Sequence, residues 1–274
     1  MKKIIFVLTF FLIFHIYATD IDSQFVFDNR YGQISQSGNA LTDAFKNIDN
    51  VSAYNENLCG PTTFVNVMKK LRTVLDLDYY DLFGFRSEED EIAYLVSTYI
   101  PTHGIDFTPS TGITSAVLRS MIIAYLSDLQ KNKKFNFEVI RQDFLPMFPS
   151  PHELRGIKLT ELAQTTEDNV AVLLLMGSFN AKTPNDLTSW NQYEGGHWVV
   201  VGGYNKKSLN EFLLIDSAND NEKIVSYVLD EVKIPKFHWV SQAPTYKIRQ
   251  STKDYSEYDT LNIVLAAITI RILN

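Results

Sequence analysis

The chain has 274 residues, and its 32 acidic side chains outnumber 25 Lys and Arg, giving a formal net charge of -7 at pH 7. That balance excludes the clustered basic surface on which nucleic-acid binding depends. A single cysteine excludes an intrachain disulfide, so this thiol is either buried and inert, paired with another chain, or used.

Lys2 and Lys3 precede an apolar run from Ile4 to Phe14 and a small residue, Ala18, the pattern of a secretory leader. Residues 1–18 are therefore expected to be a signal peptide, and the protein to be exported, secreted or periplasmic. The run is short for a membrane span, and the only later candidate, Leu261 to Leu273, is interrupted by Arg271 and alternates like a strand. No stable membrane insertion is expected after leader cleavage. Residues 19–50, rich in Asn, Gln, Ser and Asp, predict an irregular N-terminal arm, and residues 51–274 a single domain.

Cys59 opens a predicted helix that runs to about Thr73. Pro61 is tolerated in a first turn, and Phe64, Met68, Leu71 and Leu75 follow at helical spacing. The positive end of the helix dipole favours thiolate, the nucleophilic form. Ser87, followed by four acidic residues, predicts a capped helix through Tyr99, and Thr114 caps another. Strands are predicted at Phe135–Ile140, Val170–Met176, His197–Tyr204, Phe212–Asp216, Ile224–Tyr227 and Phe237–Val240, with a short helix at Leu159–Gln164 and a surface loop from Gly177 to Glu194. Helices followed by antiparallel strands indicate an α+β fold.

Of the histidines outside the leader, His103, His152 and His238 are expected to be structural or superficial. His197 follows Gly195 and Gly196 and opens an apolar strand, the position of a general base. If residues 205–208 form the hairpin loop, Tyr204 faces Leu209 and His197 directly faces Asp216, with about 5 Å between opposed Cβ atoms. Cys59, His197 and Asp216 then have the roles of nucleophile, base and orienting acid.

The blocks Cys59-Gly60-Pro61-Thr62-Thr63, Gly195-Gly196-His197-Trp198-Val199-Val200-Val201 and Leu213-Leu214-Ile215-Asp216 resemble papain-like cysteine peptidases related to the bacteriocin-processing, double-glycine leader peptidases, in a free-standing secreted form. The resemblance covers roughly residues 50–230. It implies a papain-like two-lobed fold, with a helical N-terminal lobe and an antiparallel-sheet C-terminal lobe, and cleavage of an amide bond in a peptide or protein substrate through a thioester. It gives Cys59, His197 and Asp216 the catalytic roles. Where the family usually carries an upstream Gln that binds the oxyanion, this chain has Ala53. Asn57 is the preferred nearby amide donor, with Asn55 as the other. An acyltransferase or transglutaminase-like enzyme on the same triad, or a non-catalytic binding domain that retains the fold, suggested by the aromatic-rich loops around Trp190, Tyr193 and Trp198, are the alternatives. No metal or other cofactor is expected, because no His or Cys pair has ligand spacing and no glycine-rich phosphate loop follows a strand.

Overall fold

The computed structural model describes residues 24–37, 39–45, 57–77, 83–105, 113–144, 156–219, 223–234 and 244–273. The leader at residues 1–18, Ala53, Asn55, His152, His238 and the strand expected at Phe237–Val240 lie outside them. Among the described residues there are eight strands: β1 (Phe25–Phe27), β2 (Asn136–Asp143), β3 (Val170–Phe179), β4 (Tyr193–Asn205), β5 (Glu211–Ile215), β6 (Ile224–Lys233), β7 (Pro244–Gln250) and β8 (Leu261–Leu273). The principal helices are α1 (Asn39–Ala44), α2 (Cys59–Leu75), α3 (Glu88–Tyr94), α4 (Ser115–Asn132) and α5 (Leu159–Ala163). Ser87 and Thr114 cap α3 and α4 through their side-chain oxygens, as their positions predict.

The expected two-lobed papain-like α+β arrangement is not the fold. Strands β4, β3, β8, β7, β6 and β5 pair antiparallel in that order, and β5 returns to β4, closing a six-stranded barrel. Two further strands extend it: β1 beside the end of β4, and β2 along β8. No separate helical lobe exists among the described residues, because the helices share their core with the outside of the barrel.

Side-chain alternation explains this arrangement. Val170, Val172, Leu174, Val199, Val201, Val264 and Ala267 pack with Phe212, Leu214 and Ile248 inside the barrel. The intervening Ala171, Leu173, Trp198, Val200, Ala266, Ile268 and Ile270 pack outward against Phe64, Met68 and Leu71 of α2 and Leu118, Ile122 and Leu126 of α4. Strands buried on both faces read as continuous apolar runs, and the runs alone do not say what covers each face.

Helix α2 is buried on nearly every side, including Asn66, Lys70 and Arg72. Lys70 Nζ donates to the carbonyls of Thr165, Glu167 and Val170 at 2.6–2.7 Å and pairs with Asp28 at 3.0 Å. Arg72 pairs with buried Glu91, which also accepts from Tyr125. A buried ammonium is tolerated when its donors are satisfied as those of Lys70 are.

The N-terminal arm is more ordered than its composition predicts. It pairs with β4, donates from Gly32 N to Asn66 O at 2.8 Å, and donates from Gln36 N to Ser217 O at 3.0 Å. Among the described residues, no helix is long and apolar enough to cross a membrane.

Candidate functional site

The head of α2, the opening of β4 and the turn after β5 meet at one place. Cys59 is the first residue of α2, with 8% of its surface exposed. The preceding residue, Leu58, supplies no side-chain cap, so the helix head keeps the unpaired-amide character and positive potential of a helix start. Gly60 is needed for the fit, because a Cβ there would overlap the Ile113 side chain and touch Trp198. Trp198, 1% exposed, donates from Nε1 to Ile113 O at 3.0 Å, and Thr63 Oγ1 donates to Trp198 O at 2.9 Å. These two bonds fix the start of α2 against the strand residue adjacent to His197. Trp198 is thus a buried brace within β4 and not part of an aromatic-rich loop.

His197 Nε2 donates to Asp216 Oδ1 at 2.6 Å. Asp216 stands one residue past β5, where Oδ1 also accepts from Ala218 N at 2.8 Å and its own amide donates to Lys223 O at 2.8 Å. Lys223 Nζ in turn donates to Gln33 O at 2.7 Å, so the N-terminal arm steadies the turn from outside. The His197 and Asp216 side chains are 25% and 13% exposed.

The predicted hairpin register differs from the observed one. Tyr204 lies opposite Phe212, Val201 opposite Leu214 and Val200 opposite Ile215, with an irregularity at Gly202. Leu209, expected in the strand, is 66% exposed in the connecting turn. Continuing the ladder places Val199, rather than His197, level with Asp216. Without the Gly202 bulge, the Tyr204–Phe212 register would put His197 and Asp216 on opposite faces. The bulge restores the shared face, and the two side chains meet diagonally.

With Nε2 engaged by Asp216, Nδ1 is the ring nitrogen left for the thiol of Cys59. Burial works against a charged His197. Hydrogen bonding to Asp216 and Cys59, together with their negative charges, outweighs it and pushes the imidazole up to about 10. Burial likewise opposes ionisation of Asp216, but the bond to His197, the imidazolium charge and backbone donors from Ala218 and Asn219 hold its carboxyl below the usual range. This is the electrostatic setting of an imidazolium held by a carboxylate.

Tyr193 is a site residue that the sequence reading assigned only to an exposed aromatic loop. It opens β4, and a Cβ on Gly196 would fall 2.5 Å from its Oη, so the phenol lies directly over that glycine. Burial of part of the ring first, and the nearby Cys59 second, hold its phenol above the usual range. The signal was the three-residue spacing Tyr193 to Gly196 within one strand, hidden by the expectation that residues 177–194 form a loop; β3 in fact continues to Phe179. Asn57, half-buried in the bend before α2, makes an interaction of its own.

His103 has a structural role, stacked on Tyr99 at 4.0 Å and paired with Asp128 at 2.8 Å. Among the described residues, no cluster of His, Cys, Asp or Glu could hold a metal ion. The chain matches no protein-family model and no curated protein.

Proposed function

We propose that this protein is a thiol-dependent amide hydrolase acting on peptide or protein substrates, with Cys59 as nucleophile, His197 as acid/base and Asp216 as the orienting acid. The 2.6 Å bond from His197 to Asp216, made by a ring that also interacts with a cysteine at a helix head, carries the reading. A structural histidine needs one acceptor; it does not need a thiol on its other side.

In this reading the Cys59 thiolate attacks the substrate carbonyl carbon, and the carbonyl π electrons move to oxygen. The Cys59 amide at the head of α2 is suited to that oxyanion, and Asn57 is the side chain proposed to assist it. The intermediate collapses as the C–N bond breaks, with the imidazolium giving its proton to the leaving nitrogen. A thioester and a neutral imidazole remain. The imidazole then takes a proton from water, whose oxygen attacks the thioester, and the carboxylic acid leaves as Cys59 regains its thiolate.

The resemblance to papain-like cysteine peptidases contributes this chemistry and not their fold. Export as a secreted or periplasmic protein rests on the leader pattern of residues 1–18.

Iodoacetamide alkylation of native protein tests the nucleophile. A cysteine with no cation beside it is about 1% thiolate at pH 6.5, so His197→Ala is expected to react up to about a hundredfold more slowly than wild type there and to converge with it above pH 9. A thiol that reacts only after unfolding, or at a rate independent of His197, would overturn the assignment.

A further inference from the structure

The mouth of the barrel holds a cavity of about 300 Å³ with His197 on its rim. Its walls include the apolar side chains of Met176, Tyr227, Ile248 and Tyr258, and it receives two carboxamide residues, Gln250 and Asn262. Barrel mouths are recurrent ligand sites, and a few polar groups set in apolar walls are their usual chemistry.

Three features give this cavity a direction and a ligand class. First, Gly195 lines it, and a Cβ built there meets nothing within 4 Å. The strand that carries His197 therefore leaves unfilled space along this wall of the cavity. Second, neither the Gln250 nor the Asn262 side chain has a hydrogen-bond partner among the described residues, whereas Tyr258 Oη is already engaged by Gln250 N at 2.8 Å. Carboxamides offer one donor and one acceptor group each, which matches a peptide amide. Third, the charged residues that border the cavity are His197 and Arg249, and no acidic residue lines it. Arg249, which also borders it, commits Nη1 to the carbonyls of Gln250, Ser251 and Lys253 and lies over the Tyr255 ring.

We infer that this cavity is the subsite for the leaving-group side of the substrate and takes a neutral, apolar residue followed by an amide. The inference rests on the proposed hydrolysis, in which His197 protonates the leaving nitrogen. The part of the substrate beyond that nitrogen must then lie on the His197 side, where the cavity opens. A volume of this size accommodates one large side chain with its adjoining amide, and the lining offers no carboxylate to pair with a cation, while Arg249 has its Nη1 committed to backbone carbonyls.

Two alkylating reagents with the same reactive carbon test it: chloroacetamide, and chloroacetyl-leucinamide, whose leucine lies beyond the amide nitrogen. In each, Cys59 Sγ displaces chloride to form a thioether. The ratio of the two rates within one variant cancels changes in the thiol itself. Wild type is expected to favour the leucinamide reagent by about tenfold or more, a discrimination within reach of an apolar pocket. The advantage is expected to be absent for the corresponding lysine and aspartate reagents.

In Gly195→Leu the added side chain enters open space, so folding is preserved while the space along the cavity wall is filled, and the ratio is expected to fall to near one. Asn262→Leu should lower the ratio, and Asn262→Gln should restore part of it. Equal rates for both reagents in wild type, or an advantage that survives Gly195→Leu, would overturn the subsite. Failure of chloroacetamide itself to label native Cys59 would instead remove the hydrolytic reading, and this inference with it.

Discussion

Replacing Asp216 by alanine removes one member of a part-buried charge pair and leaves the other, His197, with the thiol alone. Truncating one partner of a fully buried pair costs about 3–5 kcal/mol. Here the side chains retain 25% and 13% exposure, which admits solvent to the orphaned imidazole and brings the expected loss down to about 2 kcal/mol. The loss of an acceptor for Ala218 N is included in that figure. For a chain of this size, it corresponds to a fall in Tm of about 4–8 °C.

The dependence on pH identifies the cause. His197 is raised from 6.5 to about 10, so its contribution to stability is complete below pH 6.5 and is lost as pH rises through about 10. Asp216 is lowered from 3.8, so its contribution is present above that pH and is lost as the solution becomes more acid. Denaturant unfolding of wild type and Asp216→Ala between pH 3 and 11 is therefore expected to show the largest difference between about pH 4 and 6.5, declining as pH rises toward 10 and as the solution becomes more acid. A difference that is constant with pH would refute the ion-pair reasoning and leave Asp216 as a turn cap only.

Lys70→Met should destabilise by about 2–4 kcal/mol, because it strands three carbonyls that now share one buried ammonium and leaves Asp28 with Arg30 as its remaining cationic partner; chemical denaturation measures it, and a neutral result would show that the clasp offers no net stability. Gly60→Ala should cost about 1–3 kcal/mol despite the better helix propensity of alanine, since the added methyl overlaps Ile113. Ile113→Ala in the same chain should recover part of that loss, and the absence of any recovery would place the strain elsewhere.

The site was more legible in the sequence than the fold. A cysteine before Pro61 and a helical apolar stripe, a histidine opening an apolar strand, and an acid closing its neighbour are local patterns, and each survives in the structure. The register connecting them was not legible. The Gly202–Gly203 pair hides a bulge that comes from close packing of β1: a Cβ on Gly202 would crowd Phe27, and one on Gly203 would overlap Val26 O. The His197–Asp216 pairing holds because the true register differs from the expected one by two residues at that end, an even shift that preserves the face.

Barrel closure was also hidden. It needs Pro244–Gln250, whose opening proline reads against a strand and which meets β8 through the single pair Lys247–Ile263. Tyr193 escaped notice because its neighbours are turn formers, although it belongs to β4.

Reaction with p-nitrophenyl acetate, followed by mass spectrometry of the intact and digested protein, tests covalent catalysis most directly. The account predicts a burst of p-nitrophenol stoichiometric with protein and an acetyl group on Cys59 that decays in wild type. In His197→Ala, the same adduct should form more slowly and persist, because the base that activates water is gone. Acetylation elsewhere on the folded chain with none on Cys59, or a Cys59 adduct that forms and decays equally well without His197, would contradict it.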